Sequence, residues 1–206
     1  MSFPQHLSRE FFLQPTLHVA MKLLGQRLVL LPRKKGRLAG LITETEAYIG
    51  SEDLGCHAHV GKTRRNEVMW GPPGHAYVYF TYGMHWMLNF VTERDGFPAA
   101  VLIRGLWPTE GVKGMLQRRA VPRMKDLTNG PAKICQAFGI DGDWNGVDLC
   151  NPTARLFVEK GSVVNKKYVT SGPRVGLTSV PEPWKSMPWR FQVDPTLIKM
   201  DQEPEP

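Results

Sequence analysis

Apolar side chains recur at three- and four-residue spacing from Leu17 to Leu24, which predicts a short helix that Thr16 caps and Gly25 ends. Downstream the period changes. RLVLL (27–31) and LAGLITETE (38–46) read as two strands joined through the basic turn PRKKGR, a hairpin. If LITETEAY stays extended, alternation puts Ile42, Glu44, Glu46 and Tyr48 on one face. YVYF (77–80) and MLNFV (87–91) form another strand pair with Tyr82-Gly83 at its tip, and AAVLIRGL (99–106) adds a nearby strand. In the first of these, Tyr77, Tyr79 and Thr81 share one face, while Val78 and Phe80 are expected in the core. Asn129-Gly130-Pro131 opens a helix through KICQAFG, proline being suited to a first helical turn. FVEKGS and SGPRVGL read as further strands or loops, and the tail DQEPEP is expected to fray from about residue 200. The stretch from Tyr48 to Gly74, rich in Gly, Pro, His and charge, is expected to be a long, ordered functional loop. With no repeats and no low-complexity linker, the pattern predicts one mixed α+β domain over residues 1–206, built around antiparallel strands.

Composition adds a partner. The 206 residues are 42% hydrophobic and 22% charged, ordinary values for a globular domain. Lys and Arg total 26 against 19 Asp and Glu, a formal charge of +7, which favours a polyanion such as nucleic acid. The cysteines, Cys56, Cys135 and Cys150, are few and far apart, which suits a reducing compartment and no disulfide framework. The first 26 residues carry no signal-like apolar core, and no run reaches the ~20 apolar residues of a membrane helix. A soluble, cytoplasmic protein with no membrane partner is the expectation.

Candidate chemistry lies on the strand faces. Two glutamates and a tyrosine facing one way fit either a reactive site or a solvated face. Tyrosines suit stacking on nucleobases, worth ~1–3 kcal/mol per base. Tyr82, at a hairpin tip, is a poor core residue and a good wedge between base steps. Lys62, Arg64 and Arg65 in the long loop, Arg104 at a strand end, and the run Arg118, Arg119, Arg123 and Lys125 outline a surface that could follow phosphates. The helix start after Gly130, with Lys133, could add donors to one. Cys56-His57-Ala58-His59 invites a metal, but neither HExxH nor a PCxxC partner is present, and no metal or other cofactor is expected. Two rival readings stand beside an enzyme acting on DNA. One is an architectural DNA-binding protein that inserts Tyr82 into the minor groove without chemistry. The other is an O-glycoside hydrolase using Glu44 and Glu46, whose i, i+2 spacing places them side by side rather than astride a substrate.

Taken in order, ETEAYIG, GCHAH, TRRN, GPPGHAYVYFTYGMHWMLN, AAVLIRGLWPTEG and NGPAKICQAFGI resemble the alkyladenine (3-methyladenine) DNA glycosylase family, and the likeness runs from SREFF to WRFQV. The resemblance implies a single α+β domain with a curved, mostly antiparallel sheet core, a protruding hairpin and surrounding helices. It implies that Glu46 is the general base for the attacking water and that Arg104 helps hold both. Tyr48, His57, Tyr77, Tyr79 and Asn89 would form the pocket for a flipped base, and Tyr82 would fill the gap left in the duplex. Arg119 aligns with part of that catalytic support. Read from charge rather than from the resemblance, Lys62, Arg64, Arg65, Arg119 and Lys133 would track the DNA backbone. The implied activity is monofunctional excision of damaged purines (3-methyladenine, 7-methylguanine, hypoxanthine or ethenoadenine) from double-stranded DNA by a monomer. Glu46 is expected partly solvated and ionised at neutral pH, with an ordinary pKa of ~4.3. Cys56 and TRRN depart from the family pattern, outside the acid–base residues.

Overall fold

The computed structural model describes residues 6–33, 36–121 and 123–198. Lys34 and Lys35 of the basic turn, and the tail expected to fray, lie outside the described residues. Eight strands form one antiparallel sheet: β1 (Arg27–Leu30), β2 (Leu38–Ile49), β3 (Ala76–Thr81), β4 (His85–Val91), β5 (Ala99–Glu110), β6 (Leu156–Glu159), β7 (Thr170–Gly172) and β8 (Arg190–Gln192). Their order is β3-β4-β5-β2-β1-β6, with β8 on β2 and β7 on β8. The helices are a single turn α1 (Arg9–Phe12), α2 (Thr16–Leu23), α3 (Val112–Arg119) and α4 (Pro131–Phe138). The α+β architecture with an antiparallel sheet is the one expected.

Two-residue alternation sorts the strands onto two faces. Val78, Leu88, Phe90, Val101, Ile103 and Ala47 join the main core with Val19, Ala20 and Leu23 of α2 and Ile134, Ala137 and Phe138 of α4. Their neighbours Tyr48, Tyr77, Tyr79, Val91 and Ala100 face the other way, onto Cys56, Ala58 and Met69 from the long loop. That loop contains two 3-10 turns, His57–Val60 and Glu67–Trp70, and Tyr48 itself belongs to β2 rather than to the loop.

β2 does not alternate cleanly. Its register against β5 slips between Ile42 and Glu44, leaving Thr43 unpaired, and again between Glu44 and Thr45, leaving Arg104 unpaired on β5. Bulges re-aim side chains. Ile42 therefore lies in the main core, and Thr45 donates to Ala20 of α2, while Glu44 and Glu46 turn to the opposite face. The single face expected for Ile42, Glu44, Glu46 and Tyr48 holds only for the last three.

Three local expectations are corrected. α2 begins at Thr16 itself, after Pro15, and the Thr16 hydroxyl donates to Glu93 rather than capping the helix. It is Leu24, already extended, that ends α2, and Gly25 follows at φ 81° with its N–H donating to the Ile42 carbonyl; a Cβ there would lie 2.4 Å from the Ser162 carbonyl oxygen. Phe80 is 44% exposed and rests on Trp86 with ring centroids 4.8 Å apart, because β3 runs past the edge of the core. α3 was not foreseen: Met115 is buried and Val112 and Leu116 pack on the core beside it, a stripe of a single turn that does not stand out next to the basic run.

Candidate active site

The loop-covered face of the sheet contains a pocket of about 440 Å3. Tyr48 (β2), Tyr77 and Tyr79 (β3), Asn89 (β4), Arg104 (β5), His57 and the start of α4 with Lys133 all line it, with Tyr82 at its rim. Eight residues expected in a DNA site from the sequence thus meet at one cavity. Glu46 joins them from beneath, since its partners Tyr48, Arg104 and Val175 are all lining residues.

Glu46 is fully buried. The backbone N–H of Val175 donates to its Oε1 at 2.7 Å and the Tyr48 hydroxyl to its Oε2 at 2.9 Å, with Arg104 Nε 3.4 Å from Oε1. Arg104 also donates to Glu44 Oε1 at 3.0 Å, and Arg190 approaches Glu44 at 3.6 Å. The expectation of a partly solvated Glu46 with an ordinary pKa is therefore corrected. Burial raises the pKa more than Arg104, the Val175 amide and the Tyr48 hydroxyl lower it. Glu44 is a second carboxylate on Arg104, and its charge adds to burial in raising the Glu46 pKa.

His57 shares a 2.9 Å hydrogen bond with the Tyr77 hydroxyl, and its ring packs edge-on to Tyr79 at 4.5 Å. Burial, aided by Arg65 and His59, lowers its pKa to about 4, so the ring is neutral at pH 7. Burial pushes the Tyr79 phenol up to about 12 and that of Tyr48 well above its ordinary value. These rings remain neutral stacking surfaces with hydroxyl donors. Asn89 donates its side-chain amide to the Tyr77 carbonyl at 3.0 Å, which fixes its orientation.

The basic residues divide. Lys133 borders the pocket, and its ammonium donates to Asn129. Lys62 is exposed in the loop, away from the lining. Arg64 and Arg65 line a neighbouring cleft beside Phe80 and Trp86; Arg65 donates to the Phe80 carbonyl and lies over the Tyr79 ring, 5.3 Å from its centre. Arg119 is not among the lining residues: it donates to the carbonyls of Asp126 and Leu127 and tethers the chain after α3. Asp53, Arg174 and Val175 were missed. Arg174 lay in SGPRVGL, read as strand or loop, and no local pattern distinguishes a buried arginine from a solvated one.

Among the described residues no group of three His, Cys, Asp or Glu side chains converges as metal ligands, and no helix is long and apolar enough to cross a membrane.

Residues 10–196 match the family model described as methylpurine-DNA glycosylase. A protein of Methanocella arvoryzae, provisionally named a 3-methyladenine DNA glycosylase, is 49% identical over 90% of both chains. Similarly named proteins of Prosthecochloris aestuarii (46% identical, 82% of this chain and 81% of the relative) and Carboxydothermus hydrogenoformans (44%, 90% and 93%) match along nearly their whole length. With the family model covering most of the chain, and the pocket assembled from the residues that carried the resemblance, the protein belongs to the methylpurine-DNA glycosylase family.

Proposed function

We propose that this protein is a monofunctional DNA glycosylase that flips alkylated purines out of duplex DNA and hydrolyses the N-glycosidic bond with a water activated by Glu46. The observation that carries this reading is a fully buried carboxylate held by three partners at the edge of an aromatic pocket. A carboxylate costs free energy to bury unless it is paired, and a protein that only bound DNA would gain nothing from setting one against a polyanion.

An N3- or N7-alkylated purine carries a positive charge and leaves readily, so one carboxylate suffices where O-glycosidases use two. The water oxygen bonds to C1′ of the deoxyribose. The electron pair of the C1′–N bond passes to the purine and cancels its charge, and Glu46 receives the water's proton. Arg104, 3.4 Å from Glu46 Oε1, holds the carboxylate in register. Tyr48 and Tyr79 grip the extruded base; a cationic ring on an aromatic face gains ~0.5–2 kcal/mol. Asn89, fixed by Tyr77, crowds the exocyclic amino group of guanine. Tyr82, 81% exposed, occupies the vacated position in the duplex, and Lys133 and the loop cations meet phosphates. The result is an abasic site.

The test is release of free base from methylated duplex DNA by wild type and Glu46→Gln. Free 3-methyladenine or 7-methylguanine from wild type, with a loss of at least ~100-fold in the variant, is expected. Equal DNA binding by both with no base released from either would sink the enzyme and leave the Tyr82 wedge alone. Lys133 is a pocket lysine, so borohydride trapping of a protein–DNA adduct that vanishes in Lys133→Ala would overturn the monofunctional assignment.

A further inference from the structure

Behind the pocket lies a buried ion pair that this chemistry does not use. The side chains of Asp53 and Arg174 are both fully buried. Arg174 Nη1 and Nη2 donate to the two oxygens of the Asp53 carboxylate at 2.5 and 2.8 Å, and also reach the carbonyls of Ala47 (3.0 Å) and Trp184 (3.3 Å). The carboxylate accepts two more bonds, from the backbone N–H groups of Gly55 (2.9 Å) and Ile49 (3.3 Å). Gly55 makes the space: a Cβ there would lie 2.9 Å from Arg174 Nη2 and 2.7 Å from Leu177. The guanidinium carbon lies over two rings, 4.7 Å from the centre of Tyr48 and 5.0 Å from that of Trp189.

Burying an ion pair is a poor way to gain stability, since apolar residues of the same volume are often as good or better. What this pair holds is specific. Ala47, whose carbonyl Arg174 binds, lies between Glu46 and Tyr48 in sequence. Tyr48 carries the guanidinium on its ring and donates its hydroxyl to Glu46. Val175, the next residue along the chain from Arg174, donates its N–H to Glu46 at 2.7 Å. From these contacts we propose that Asp53–Arg174 is a positioning pair that fixes the Glu46 carboxylate and the Tyr48 ring for reaction while touching neither base nor water. The proposal rests on the glycosylase reading of the pocket.

Its distinguishing consequence concerns the proton on Glu46. The groups facing that carboxyl are Arg104, the Val175 amide, the Tyr48 hydroxyl and Glu44, with Arg190 behind Glu44. Arg174 acts on it through Val175. Loosening the pair frees the amide, removes a bond that favours the carboxylate, and moves the Glu46 titration upward. A pair that merely held the fold together would lower the melting temperature and the active fraction, leaving this titration unmoved.

The experiment uses Arg174→Lys, which keeps the charge but loses the planar fork, and the neutral double variant Asp53→Asn/Arg174→Gln. Single-turnover base release is measured across pH, with binding to undamaged duplex as a control. The expected result in each folded variant is a rate ~10- to 100-fold lower at pH 7, an acid limb shifted to higher pH, and control binding within about twofold. Carboxyl 13C NMR of Glu46 in wild type and Arg174→Lys supplies a readout free of activity. A raised Glu46 titration in the variant supports the pair as positioning even if wild type releases no base, in which case the glycosylase reading alone has failed. An unchanged Glu46 titration in folded Arg174→Lys overturns the proposal, as does wild-type excision by the folded double variant.

Discussion

At Glu46 two opposing influences act on one proton. Burial favours the neutral carboxyl, while Arg104, the Val175 amide and the Tyr48 hydroxyl favour the carboxylate, and burial prevails. Hydrolysis needs the ionised form, so base release is expected to fall as the pH drops through a value above the ordinary 4.5. An acid limb at or below 4.5 in the pH profile of single-turnover excision would contradict this. His57 sets a second residue-scale expectation. With its pKa lowered to about 4 by burial, the ring is neutral at pH 7 and its remaining N–H is a poor general acid for a neutral leaving base. Cationic 7-methylguanine should therefore leave at least ~10-fold faster relative to its uncatalysed rate than hypoxanthine, each in the same duplex. Comparable accelerations for the two would require a proton donor elsewhere in the pocket. Both arguments were out of reach of the sequence, which shows a carboxylate or an imidazole but not its depth.

The hairpin formed by β3 and β4 shows what an element can and cannot announce about itself. Alternation along YVYFTY correctly separated the tyrosine face from Val78, because the side-chain period of a strand is local. It could not say how far the core extends along the strand, and Phe80 falls beyond it. At the tip, Tyr82 and Gly83 have φ of 52° and 68°, left-handed values that glycine or asparagine adopts more readily than a bulky aromatic. Holding tyrosine there costs ~1–2 kcal/mol, and its side chain is 81% exposed, so packing does not offset that cost. Tyr82→Asn is expected to leave the melting temperature unchanged or raised by a few degrees while base release falls ~10-fold or more. A variant that excises like wild type would remove Tyr82 from the flipping scheme, and one that unfolds would show the ring to be structural. The bulges in β2 and β5 act at the same scale: by leaving Thr43 and Arg104 unpaired they bring Glu44, Glu46 and Arg104 to one point.

For the whole molecule, the formal charge of +7 makes DNA affinity a salt-dependent quantity. The logarithm of the association constant should fall linearly with log salt, by about 0.9 for each phosphate neutralised. The basic residues are not equivalent, however. Lys62 is exposed and free to meet a phosphate, and Lys62→Ala should reduce the slope by about one. Arg119 bonds the carbonyls of Asp126 and Leu127, so Arg119→Ala should lower the melting temperature and leave the slope alone. The reverse outcome, a slope that changes with Arg119 and not with Lys62, would move the DNA path to the α3 side of the molecule.

The sequence by itself determined the antiparallel α+β character, the faces of β3 and β4, α4 between its proline and glycine, and most of the pocket's aromatic lining. These follow from local rules of alternation, capping and turns, and from motif residues close together in the chain. Only the tertiary structure decided the state of the reactive carboxyl. The Val175 amide reaches Glu46 from 129 residues away, and Arg174 reaches Asp53 from 121. Burial, and the proton affinity that follows from it, is created by segments meeting across the fold, a long-range event that no stretch of sequence contains alone.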